Sequence, residues 1–120
     1  MLNELRDEIF KRAAKQGFHG EGQDDLCKKL ILVITECCEA VEAERKGIKL
    51  KQHPPIPIVK DILEPEVFAK HYRGTIEEEI TDAVIRLFDI AGMIDMDLDW
   101  WIASKMAYNK SRPFRHNKLY

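Results

Sequence analysis

Apolar positions recur every three or four residues along four stretches of the chain, and proline, glycine or polar residues separate those stretches. Over residues 2–16, Leu2, Leu5, Ile9 and Ala13 share one face of a first helix. Three glycines in "KQGFHGEGQDD" break it, and Asp24 or Asp25 is placed to cap a second helix. This helix runs to about Lys46 and stops at Gly47. Leu30, Ile31, Val33, Ile34 and Val41 build it, yet Glu36 and Glu39 lie inside its most apolar part. Thr75 caps a third long helix, with Glu78 three residues on as in a capping box. That helix continues to about Ile94 on a stripe of Ile76, Ile80, Ala83, Val84, Leu87, Ala91 and Ile94. Asp97 or Asp99 starts a last helix through "WWIASKMAYNKS", which Pro113 ends.

The segment between the second and third of these helices is different. Pro54, Pro55, Pro57 and Pro65 deny it a continuous helix, so it is expected to be an irregular arm or lid, with a short helix after Pro65. Strand signals are weak throughout. The pattern predicts one all-α domain over residues 1–120: a four-helix bundle with a proline-rich arm between helices 2 and 3. Ile85 falls off the third helix's stripe, and Trp100 and Trp101 are adjacent, so some apolar surface is left for a subunit interface.

Composition narrows the function classes. The 120 residues carry a formal charge of -2, so no bulk field recruits nucleic acid or an anionic membrane. No apolar run approaches the length of a membrane span, and the charged amphipathic start is unlike a signal peptide. The three cysteines, Cys27, Cys37 and Cys38, are odd in number and lack C-x-x-C spacing; they read as buried thiols in a reducing cytoplasm.

Glu36 and Glu39 are three residues apart and project together from one helix; Glu79 and Asp82 repeat that spacing on the third. Either these are ordinary charged pairs on solvated faces, or packing of the two helices brings four carboxylates together. Converging anions repel unless a cation lies among them, and a hard divalent ion with oxygen ligands resolves the conflict. On the last helix, Lys105, Asn109 and Arg112 share a face with Trp101 and Tyr108 nearby. They either hold a polyphosphate or complement the helix dipole. No Glu-x-x-His pair, H-E-x-x-H motif, phosphate loop or G-x-S-x-G elbow is present.

"TECCEAVEAERKG" followed by "EEEITDAVIRLFDIAG", with "KQGFH" before and "KMAYNKSRPFRHNKLY" after, resembles the MazG-like all-α nucleoside triphosphate pyrophosphohydrolases. The family signature, E-x-x-E, a spacer and E-x-x-D, appears as Glu36-x-x-Glu39 and Glu79-x-x-Asp82. The resemblance covers most of the chain outside the arm. It implies a homodimer or homotetramer that hydrolyses a (d)NTP to the monophosphate and pyrophosphate with magnesium, or manganese in its place. Metal-activated water would attack the α-phosphorus. Glu36, Glu39, Glu79 and Asp82 become metal ligands and catalytic residues, one of them, for instance Glu39, doubling as general base. Lys105, Asn109 and Arg112 become phosphate contacts, and Phe18 lies where a base would stack. Two positions depart from the family: Thr35 stands where a further glutamate is common, and His116-Asn117-Lys118 replaces H-G-K. The competing reading is a catalytically silent helical module that binds nucleotides or a protein; a nucleic-acid binder using the short basic tail is a third.

Overall fold

Helix boundaries follow the capping residues closely. The computed structural model describes residues 1–48 and 65–119, and within them α1 spans Leu2–Lys15, α2 Leu26–Arg45, α3 Pro65–His71, α4 Ile76–Met93 and α5 Leu98–Ser111. A 3-10 turn, Phe114–Asn117, follows. Among the described residues there is no strand, so the fold is all-α, with five helices where the pattern gave four long ones and a short one. From residue 49 to residue 64 the expected proline-rich arm lies outside the described residues. No helix is long and apolar enough to cross a membrane among the described residues.

The choices between neighbouring acids are resolved by what each carboxylate accepts. Asp25 caps α2, accepting from the Lys28 amide at 3.0 Å, while Asp24 turns to His19 and to the Gly20 amide. Asp97 caps α5 through the Trp100 amide at 3.1 Å. Asp99 instead accepts from the Leu2 and Asn3 amides, at 3.0 and 3.2 Å, and so satisfies open donors at the start of α1. Thr75 accepts from the Glu78 amide at 3.3 Å, and the Glu78 carboxylate reaches back to the Gly74 amide, one residue earlier than in a standard capping box.

The chain divides into two compact units, Met1–Asp24 with Phe88–Tyr120, and Asp25–Leu87. In the first, α1 packs with α5, and Arg6 rather than Leu5 is the buried residue of α1. The Arg6 guanidinium donates to the Met96 carbonyl and pairs with Asp7. His19 joins the glycine loop to the end of α4: its ring nitrogens lie 2.7 Å from Asp24 and 2.6 Å from Asp89, and its ring rests 4.5 Å from that of Phe10. Gly92 lets α1 come close. A Cβ added there would meet the Phe10 Cβ at 2.6 Å. That contact involves an atom fixed to the backbone, so Gly92→Ala is expected to cost about 1–3 kcal/mol despite alanine's better helix propensity. Thermal unfolding of the variant several degrees below wild type is the check, and a higher midpoint would contradict the close approach.

In the second unit most of the large apolar residues of the expected stripes are exposed. Glu36 and Ala43 are the buried residues of α2, whereas Leu30, Ile31, Ile34 and Val41 are exposed. On α4, Ala83 is buried but Ile80, Val84 and Leu87 are not. Small and acidic side chains turn inward because they let the two helices meet through a polar contact described below. All three cysteines are exposed, which corrects the expectation of buried thiols. Ile85, Trp100 and Trp101 are exposed.

Candidate metal centre

Glu36 and Glu39 come from adjacent turns of α2, and Glu79 from the first turn of α4. One carboxylate oxygen from each lies within 4.8 Å of the others. The two helices run antiparallel here: Glu39 hydrogen-bonds Glu79, while Glu36, earlier in α2, meets Arg86, later in α4. Arg86 donates from Nε to Glu36 Oε1 at 2.6 Å. Glu36 is only 7% exposed, so this charge-assisted bond is what allows a carboxylate to be buried there.

The Glu79 carboxyl is hydrogen-bonded to that of Glu39. Burial, then the hydrogen bond and the charge of Glu39, push the Glu79 carboxyl from 4.5 to about 7. Asp82 is also held above its ordinary value, first by burial and then by the Glu36 charge, with Arg86 opposing. Asp82 is therefore part of the same electrostatic environment, although the group of mutually close oxygens comprises Glu36, Glu39 and Glu79. The donor set is all oxygen, anionic and self-repelling. A hard divalent cation fits it better than a soft metal, for which the described residues nearby offer no imidazole.

Thr35, the departure beside the motif, donates its hydroxyl to the Ile31 carbonyl at 3.2 Å and so turns back onto its own helix. Arg86 is the residue of this cluster to which the spacing gave no role. Its signal was its place four residues after Asp82 on one face of α4.

The basic residues belong to the other unit. The Lys105 ammonium lies 4.7 Å from the Tyr108 ring centre and the Arg112 guanidinium 5.5 Å from it, so one aromatic ring collects both cations. Asn109 sits between them in sequence, with its side-chain oxygen enclosed and unpaired. Phe18 is more than half exposed at the start of the glycine loop. In the tail, Asn117 adopts φ 60°, a left-handed conformation that asparagine tolerates, so the turn survives without the glycine of H-G-K. No protein-family model, no curated protein and no solved structure matches this chain.

Proposed function

We propose that the chain is a divalent-metal-dependent nucleoside triphosphate pyrophosphohydrolase that releases a (d)NMP and pyrophosphate. The convergence of Glu36, Glu39 and Glu79 from two rigid helices is the observation that carries this reading. Glu36, Glu39, Glu79 and Asp82 are the residues that would hold magnesium or manganese. When bound, the ion shields phosphate charge and makes water a stronger nucleophile at neutral pH. Glu39 is assigned the general base, because its carboxylate is the exposed member of the three. It takes a proton from water as the oxygen–α-phosphorus bond forms. The bond from the α-phosphorus to the β-bridging oxygen breaks, and pyrophosphate leaves with the electron pair. Arg86 holds Glu36 in place during this exchange.

Lys105, Asn109 and Arg112 are assigned to the polyphosphate by their chemistry, with Phe18 as the surface for the base. Hydrogen bonds to charged groups contribute about 1.5–3 kcal/mol. Lys105→Ala and Arg112→Ala are therefore each expected to raise KM roughly 10-fold or more, with kcat nearly unchanged for contacts equal in the ground and transition states. Loss of kcat at constant KM in both variants would remove this assignment. Hydrolysis in ¹⁸O-labelled water tests the reaction itself. Label in the monophosphate, with pyrophosphate as co-product, is expected. Diphosphate and orthophosphate would place attack at the γ-phosphorus, and no turnover of any (d)NTP would favour the silent binding module.

A further inference from the structure

Tyr108 stands one turn after Lys105 and one turn before Arg112, so all three share a face of α5. Its ring is more than half exposed, and both cationic heads are drawn to it, at 4.7 and 5.5 Å from its centre. Among the described residues, neither cation forms an ion pair or a side-chain hydrogen bond. The surrounding sequence offers them no carboxylate. Asp99 is the one acid of residues 98–120 and accepts from the start of α1, while Lys105, Lys110, Arg112, Arg115 and Lys118 lie in the same stretch. A chain of formal charge -2 thus concentrates positive charge along this segment.

The chemistry of the partner matters. A carboxylate in place of the ring would gather the two cations, but it would also neutralise them and occupy their N–H groups. An aromatic face attracts the charge and leaves the donors of both heads open. We infer that Tyr108 is a positioning residue that makes Lys105 and Arg112 a two-cation clamp, selective for linked phosphates over orthophosphate. Linked phosphates offer each head an anionic group of its own, whereas orthophosphate has one group to divide between them. Long cationic side chains lose rotamer freedom when they bind an anion, and heads already drawn to one ring lose less. The phenol hydroxyl has no part in this, so phenylalanine should serve equally well. The inference rests on the assignment of Lys105 and Arg112 to the polyphosphate, and adds what holds them and what they select.

Calorimetric titration of the full chain in metal-free buffer, with sodium pyrophosphate and separately with sodium phosphate, tests the clamp without turnover. The wild-type protein is expected to bind pyrophosphate roughly 10-fold or more tightly than orthophosphate. Tyr108→Phe should match it. Tyr108→Leu should weaken pyrophosphate about 10-fold and orthophosphate by less than about 2-fold, with unchanged circular dichroism and melting midpoint. Equal pyrophosphate affinity in wild type and Tyr108→Leu overturns the role of Tyr108 and leaves the hydrolytic reading standing. So does a Tyr108→Phe protein as weak as the leucine variant. A wild-type protein that does not bind pyrophosphate overturns both the inference and the phosphate assignment beneath it. Failure to hydrolyse any (d)NTP, with the binding pattern intact, would remove the hydrolytic reading alone. If Tyr108→Leu unfolds, the wild-type protein decides by nuclear magnetic resonance. Lys105 ε-methylene protons shifted upfield by the ring, and moved by pyrophosphate but not by equal orthophosphate, support the clamp; unshifted protons overturn it.

Discussion

Glu79→Gln is expected to stabilise the protein in the absence of divalent metal and, in the same molecule, to lower kcat by about 10²–10⁴-fold. The opposite signs come from one piece of geometry. Glu79 is a half-buried carboxyl facing Glu39, and at neutral pH it must either keep a proton or bring a second negative charge against the first. An amide of the same shape donates to Glu39 without that conflict, so the metal-free midpoint should rise by several degrees. The variant has, however, lost an anionic oxygen that the cation requires. Glu39→Gln is expected to cost a similar factor in kcat. Melting curves in chelator and steady-state rates with magnesium are sufficient to check both. A Glu79→Gln protein that is less stable without metal would show that the carboxylate is an ordinary structural partner. The metal-centre reading would then fall.

The fold class and nearly every helix end were legible because caps and breakers act locally. Asp25, Thr75, Asp97 and Pro113 each fix a boundary through one or two bonds within their own turn. The inward face of α2 was not legible. Its sequence carries two stripes: large apolar side chains at Leu30, Ile34 and Val41, and a small or acidic one at Glu36 and Ala43. Periodicity reveals both stripes, but hydrophobicity alone chooses the wrong one for the contact with α4. The choice is made by Arg86, fifty positions away, which compensates the buried Glu36. A long-range ion pair leaves no local pattern. For the same reason the spacing indicated which acids project together, but not that Glu79 faces Glu39 or that Arg86 pairs with Glu36. The cysteines were misread because a thiol's preference for burial was applied to a helix face that is exposed in the single chain.

Without metal, the stability of the wild-type protein is expected to fall as pH rises from 5 to 8, and magnesium is expected to flatten the trend. The Glu79 carboxyl titrates near 4.5 in the unfolded chain and at about 7 when folded. Below 4.5 both states hold the proton and folding bears no penalty from this group. Between the two values the folded state keeps a proton that the unfolded state releases, so stability drops with each step up in pH, and above 7 the loss is complete. Asp82, also raised, adds to the same slope. Asp97 and Asp99 have carboxyls held below 3.8 by hydrogen bonds from Asn3 and from the Leu2 and Asn3 amides respectively, so their stabilising effect is lost only under more acid conditions and leaves this window undisturbed. Magnesium binds the ionised carboxylates and competes with the proton. At pH 8 and one hundred times its dissociation constant it should add about 2.7 kcal/mol, on the order of 10 °C in midpoint. At pH 5.5 the proton competes for the site and the gain should fall to about a third. Potassium chloride at equal ionic strength controls for screening. In Glu79→Gln the chelator curve should lose most of its slope, and the magnesium gain should be small at every pH. A magnesium gain that is the same at pH 5.5 and 8, or the same in wild type and variant, would mean that the ion binds elsewhere on the chain.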